Sequence, residues 1–466
     1  MTVILSKKMR ALCLSAAVSA LVLTSAGQAF SGENDVKTLR DALAVGISTN
    51  PEYGVVAASR RATDEELEQG EALFLPSVDL NGDFGFEYTD DPSTRAGGDD
   101  DTEELWRKEV GVTLTQLLFD GFEARYEVQR QQARVLSSAE RVRETAELVG
   151  LSIVESYLEV LRQRQLLLIA RDNVEDHLNI LGQIEDGIKA GRSTGADGEQ
   201  AKARLASARA TESATREALR VAEAQYILEV GDPAGEIEMP LIPFDTLAQD
   251  VDAETLETLA HSPTLDIFAA DIEVAYAEAQ GTKSTQYPQL DLQLNARTGH
   301  DLGGTEGRDT SASALVVMNW NLYRGGADVA RQREFVHRHQ QSKEARTEAA
   351  RAVENDVRQT WASMVSSGER AVQFAAQADA NTEVVKAYQD QFNLDRRTLL
   401  DVLDAQNELF VSRSNAVDSE FLETLAVYRL LALKGRLLPT MDVAYPRESV
   451  VASGDKWSYK EQQKAR

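Results

Sequence analysis

Cysteine is all but missing from this 466-residue chain. The single one, Cys13, lies in the apolar N-terminal stretch, so the processed protein is expected to have neither disulfides nor a thiol nucleophile. Proline is sparse and unevenly spread, with none within 93–232 or 289–438. An interior proline deletes a helical hydrogen bond and clashes with the preceding turn, so those two spans are free to form long helices. Basic charge is short as well. Against 76 acidic residues stand 49 Lys and Arg, a net charge of −27. That balance argues against nucleic acid as a partner, because phosphate binding draws on clustered cations. Beyond the N-terminus no run of about 18 apolar residues offers a transmembrane helix. The histidines, His177, His261, His300, His337 and His339, form no ligand pattern, and His337 and His339 fall on different sides of a helix. There is no P-loop, nucleophile elbow or cysteine pair. No cofactor is expected, and no catalysis.

Residues 1–29 read as a signal peptide. Lys7, Lys8 and Arg10 form the basic region, Ala11 to Ala26 the apolar core, and Gly27-Gln28-Ala29 the cleavage site. Its removal takes the net charge to −30. Cys13 lacks a lipoprotein-box context, so acylation is not expected.

Within the first proline-free span, Ala146, Ile153, Val160, Leu167, Val174, Leu181 and Ile188 recur every seven residues. A seam held that long predicts coiled-coil packing over about Glu123 to Ala190, a rod roughly 100 Å long. A second helix is expected from Gly198 to Val230, before Gly231-Asp232-Pro233. Upstream, the period changes to two. Val78, Leu80, Phe84, Phe86 and Tyr88 alternate with Asp79, Asn81, Asp83 and Glu87, and Val110, Val112 and Leu114 alternate with Glu109, Gly111 and Thr113. These are strands with one apolar and one polar face, separated by a hydrophilic loop over Pro92 to Asp101. Each is long enough to cross a bilayer at a tilt.

The plan then repeats. Pro51 and Pro76 recur as Pro263 and Pro288 at an offset of 212, and Phe119 and Gly121 recur as Tyr323 and Gly325 at 204. This is a duplication. A first repeat spans 36–235, with its strand hairpin at 76–119 and a helical hairpin whose tip lies near 191–197. A second spans 250–438, with a strand hairpin at 287–323, a loop holding Gly299, Gly303, Gly304 and Gly307, and a tip near 395–404. Leu403, Phe410 and Val417 continue the heptad seam in its last helix. A tail, 439–466, lacks periodicity and is expected to be mobile. Trp106, Trp320 and Tyr323, near strand ends, suit either a membrane-interface belt or packing.

The two tips carry the candidate site. Thr194 and Asp197 match Thr398 and Asp401, again at 204. Each Thr-x-x-Asp is a helix-capping pattern, and acids suit a helix N-terminus. Asp404 has no capping duty and shares a face with Asp401. Four amphipathic strands cannot close a barrel, and an open edge cannot face lipid. Several chains sharing one barrel would resolve this, with the charged helical half extending the lumen into water.

The chain resembles the TolC family of trimeric outer-membrane exit ducts over roughly residues 36–438. The resemblance lies in Asn50-Pro51-Glu52, Leu75-Pro76, Leu118-Phe119-Asp120-Gly121-Phe122 and its counterpart Leu322-Tyr323-Arg324-Gly325-Gly326. It is strongest in Arg397-Thr398-Leu399-Leu400-Asp401-Val402-Leu403-Asp404-Ala405-Gln406. It implies an α+β membrane protein, a homotrimer whose barrel takes four strands per chain and continues into an α-helical periplasmic tunnel. It also implies outer-membrane lipid around the barrel, a periplasmic adaptor (a membrane fusion protein) and an inner-membrane ABC or RND pump as partners. By the same resemblance, Asp401 and Asp404 ring the periplasmic entrance, where multivalent cations could block it. Crowding in such a ring should raise some carboxyl pKa values. Arg397 and Asp197 belong to a latch that keeps the tunnel shut, in which Phe392 replaces a family tyrosine. The missing lipoprotein box, Asn50-Pro51-Glu52 and Leu118-Phe119-Asp120-Gly121 favour the type I protein-secretion branch over multidrug efflux. A soluble periplasmic coiled-coil adaptor or scaffold is the reading from another class, and the duplicated strand hairpins speak against it.

Overall fold

The computed structural model describes residues 37–90, 103–394 and 396–451. The signal peptide, the loop over Pro92 to Asp101, Asp395 and the tail beyond 451 lie outside the described residues. Two short helices, α1 (Leu39–Thr49) and α2 (Pro51–Ala72), lead into strands β1 (Ser77–Thr89) and β2 (Glu103–Phe119). The long helix α3 (Glu123–Lys189) and its return α4 (Gly195–Val230) complete the first repeat. The second repeat is α5 (Val251–His261), α6 (Pro263–Gly281), β3 (Gln289–Leu302), β4 (Thr305–Asn319), α7 (Ala327–Asn393) and α8 (Leu399–Leu433). Both long helices fill the proline-free spans. Among the described residues, no helix is long and apolar enough to cross a membrane.

The four strands form one antiparallel sheet in the order β1-β2-β3-β4, so the two hairpins meet along β2 and β3. Register makes its faces opposite in character. Val78, Leu114, Leu294 and Ala314 stand in one row across the sheet, and Leu80, Val112, Ala296 and Ala312 in the next. The intervening row holds Asp79, Thr113, Asn295 and Ser313. On the polar face Arg107 reaches Asp83 at 2.7 Å and Arg297 reaches Glu109 at 3.3 Å. The apolar face is bare, with Leu80 74 % exposed. Among the described residues, the outer edges of β1 and β4 have no partner.

The turn between β3 and β4 is tighter than the glycine content suggests. Gly299 and Gly307 belong to the strands, and only Gly303 and Gly304 lie between them, both at positive φ that a side chain would resist. β4 ends at Asn319, before the Trp320-to-Tyr323 segment expected to belong to the hairpin. At the corresponding exit of β2, Gly121 has φ +70, and a Cβ there would lie 2.8 Å from the Ser284 carbonyl oxygen. Glycine lets the chain turn into α3 at that crowded point.

The helical half is knotted at mid-height. Leu39 and Leu43 of α1, Ile153 and Tyr157 of α3, Tyr226 of α4, and Tyr428 and Leu431 of α8 share one buried cluster. The Tyr157 hydroxyl donates to the Glu238 carbonyl at 2.6 Å. The seven-residue seam holds as far as Leu167. Burial then passes to Asn173, Ile180 and Gly187, one residue ahead of Val174, Leu181 and Ile188. Buried Leu167, Ala170 and Asn173 follow at steps of three, an inserted three-residue step that overwinds the seam. The neighbours change there. Towards the tip, Ile180 and Ile184 pack on Ala201 of α4 and on Leu399, Val402 and Leu403 of α8.

The described part of the tail is anchored, contrary to the mobility expected from its lack of periodicity. Met441, Val443 and Tyr445 pack against the mid-height core. Tyr445 donates its hydroxyl to Glu147, and the Leu437 amide donates to the same carboxylate at 2.9 Å. Further on, the Tyr53 hydroxyl donates to Glu448 at 2.9 Å. Short contacts of this kind need no repeat, so no period marks them.

Candidate functional site at the helical tips

Both tips are built on the same local device. Thr194 and Thr398 are N-cap residues, and their side chains accept from the Asp197 and Asp401 amides while those carboxylates accept in return. The capping role of Asp197 and Asp401 is therefore real. Thr38 and Asp41 make the same box at the start of α1. The Thr398 hydroxyl, its amide and the nearby Arg397 charge hold the Asp401 carboxyl below the usual range. The Thr194 amide and hydroxyl do the same for Asp197. Within a single tip the shift is thus opposite to the rise expected of a crowded ring.

Arg397 is held by its own hairpin. Its guanidinium lies over the Tyr388 ring at 4.0 Å, its Nε donates to Gln391 at 3.1 Å, and Asp401 is 3.7 Å away. Asp197 is engaged by Thr194 instead. The Arg397–Asp197 latch is not formed within one chain. Phe392 contributes no polar link. Its ring packs with Tyr388 against the cluster of Ile180, Ile184, Leu399 and Leu403. Asp404 faces a basic partner across the hairpins, Arg204 of α4, at 3.4 Å.

Sequence reasoning missed Tyr388, Gln391 and Arg204. Tyr388 had a signal: it precedes Phe392 by four residues and so shares its helix face. Arg204 had none, because only tertiary packing sets α4 beside α8. A third unforeseen link lies behind the tip, where buried Gln406 donates to Asp176 on α3. Beside it, burial and the Arg204 charge lower the pKa of His177. Among the described residues, no group of three His, Cys, Asp or Glu side chains gathers as a metal site.

The pairing of two strand hairpins with two capped helical tips has a family counterpart. The family model described as "Outer membrane efflux protein" matches residues 47–227 and again 256–436. The chain belongs to that family. The two matches fall one on each repeat. Members of the outer membrane efflux protein family are transport channels rather than enzymes, so the protein is one that sits in the outer membrane and extends into the periplasm. Outer membrane efflux protein BepC of Brucella suis is 27% identical over 456 residues, covering 94% of this chain and 95% of its own. Alkaline protease secretion protein AprF of Pseudomonas aeruginosa is 24% identical over 423 residues, covering 87% and 85%. Among solved structures, the outer membrane protein VceC of Vibrio cholerae superposes with a TM-score of 0.72 at 14% identity, over 88% of this chain and 97% of that one. The CmeC outer membrane channel of Campylobacter jejuni gives 0.73 at 12%, over 86% of each. At such identities the structures speak for the fold.

Proposed function

We propose that three copies close a twelve-stranded barrel and a common helical tunnel, forming the exit duct of a tripartite export system. The observation that carries the reading is the sheet: four strands, one apolar and one polar face, and two unpaired edges. Its apolar face would meet lipid and its polar face a wet lumen. Edge pairing between copies would satisfy the amides that lipid cannot. A periplasmic adaptor and an inner-membrane pump would deliver cargo and energy, since the sequence has no P-loop. Type I protein secretion is favoured, a reading supported by the likeness to AprF, named for alkaline protease secretion. Small-molecule efflux is the alternative, supported in part by the likeness to BepC, named as an efflux protein.

At the periplasmic end, Asp401 and Asp404 from three copies would ring the entrance and favour cations. Arg397 and Asp197 would form the latch between copies, with Phe392 sealing the tip behind them. The test is single-channel conductance in planar bilayers, wild type beside Arg397→Ser. A small cation-selective wild-type conductance, rising several-fold in the variant, supports duct and latch together. An unchanged conductance removes the latch. A protein that stays soluble without detergent and forms no channel removes the duct.

A further inference from the structure

We propose that the β3–β4 turn is folded over the polar face of the sheet as a restriction at the outer exit of the duct, tethered by Glu87 and seated by Leu302. The proposal rests on the barrel reading, in which that face lines the lumen. Both strand hairpins leave the helices at one end of the sheet and turn at the other, so with the helices in the periplasm the turns face the exterior.

The path of the turn is the decisive observation. The hairpin of β3 and β4 is separated from β1 by the whole of β2. Adjacent strands lie about 4.8 Å apart, so a turn continuing in the plane of the sheet would pass about 10 Å from β1. Yet the Gly303 amide donates to the Glu87 carboxylate of β1 at 3.2 Å. Glu87 is on the polar face, in register with Asp79 and Asp83, and also lies 3.7 Å from Arg107. The Glu87 side chain covers part of that gap, and the turn leans over β2 on the polar face to meet it.

Three local features bend it there. The β3–β4 register slips between His300 and Leu302. Asp301, at the slip, adopts φ +60, and its carboxylate accepts from the Gly307 amide and pairs with His300, each at 2.9 Å. Leu302 then folds onto Gly299, where a Cβ would come within 2.6 Å of its Cδ1. Gly299 stands in the polar row of Glu109 and Asp309. An apolar side chain seated on the polar face is a feature a free surface turn does not need. In a trimer, three such turns would narrow the exit.

The test is cysteine labelling on intact cells in a Cys13→Ser background. Asn295→Cys places a thiol on the polar face, deeper than the turn, and Leu294→Cys places one on the apolar face. A bulky, membrane-impermeant maleimide is added outside. Glu87→Ala removes the tether, and Leu302→Ala independently empties the seat on Gly299. Each is expected to speed labelling of Asn295→Cys several-fold. Asp83→Ala, which removes another Arg107 partner but leaves the turn, is expected not to. Equal rates in all backgrounds overturn the restriction while leaving the barrel standing. If Leu294→Cys labels as fast as Asn295→Cys, the assignment of faces fails and the restriction falls with it.

Discussion

The Arg397 guanidinium lies over the Tyr388 ring at 4.0 Å, nine residues back along the chain and across the turn that starts α8. In the single chain the aromatic face holds the arginine together with Gln391 and Asp401. Such a contact is worth about 0.5 to 2 kcal/mol, depending on desolvation. Tyr388→Ala should therefore raise single-channel conductance in the same direction as Arg397→Ser, while Tyr388→Phe should leave it near wild type. A loss of gating in Tyr388→Phe would show that the hydroxyl is the essential group.

Asp404 and Arg204 set a second expectation. Their 3.4 Å pair joins α4 to α8 and partly neutralises the acid at the proposed mouth. Asp404→Asn should weaken cation selectivity and block by multivalent cations, and Arg204→Ala should strengthen both. Reversal potentials across a salt gradient measure the change. Identical potentials in all three proteins would place Asp404 outside the conduction path.

Stability should depend on pH through Glu147. Burial pushes this carboxyl up to about 7, against the opposing hydrogen bonds from Tyr445 and Leu437 and the nearby Arg143 charge. Its folded pKa exceeds its unfolded value, so the native state holds the extra proton between roughly pH 4.5 and 7. The stabilisation is complete below that window and is lost as pH rises through it, a change on the order of 3 kcal/mol. The apparent melting temperature should fall from pH 5 to 8, and Glu147→Gln should flatten the slope. An equally steep slope in the variant would assign the effect to another group.

Lys434 should be among the least replaceable side chains. It is fully buried at the end of α8, with its Nζ 3.0 and 3.2 Å from the two carboxylate oxygens of Glu254, also fully buried. Removing one member of a buried pair leaves an uncompensated charge and costs about 3 to 5 kcal/mol. Lys434→Met should lower the apparent melting temperature sharply, and adding Glu254→Leu should restore most of it. If the double variant is no better than the single one, the pair is not the source of the loss.

The long helices and strands were legible because each repeats one simple period over many residues. Missing prolines bounded α3 and α7, and alternation from Val78 to Tyr88 announced the two faces of the sheet. The cap boxes at Thr194 and Thr398 were readable for the same local reason. What escaped depends on neighbours distant in sequence. Val174 fits the seven-residue pattern, but past Leu167 the cluster packed on α3 no longer includes α1, and burial moves to Asn173. Tyr445 looked like part of a featureless tail, since nothing near it in sequence reveals Glu147. Arg204 reads as one more charge on a solvated helix until α8 is placed beside it.

The two free edges of the sheet carry a consequence for mixed populations. Turning a neighbour about the membrane normal so that β1 met β1 would present its apolar face to the wrong side. In the proposed trimer, copies could therefore join only head to tail, with the β4 edge of one against the β1 edge of the next. Each chain must offer both edges for the ring to close. A chain with one blocked edge would still capture an intact neighbour through the other, and would leave that ring incomplete. Co-expressed with wild type, such a variant would act as a dominant poison, disabling far more channels than its own share of the protein.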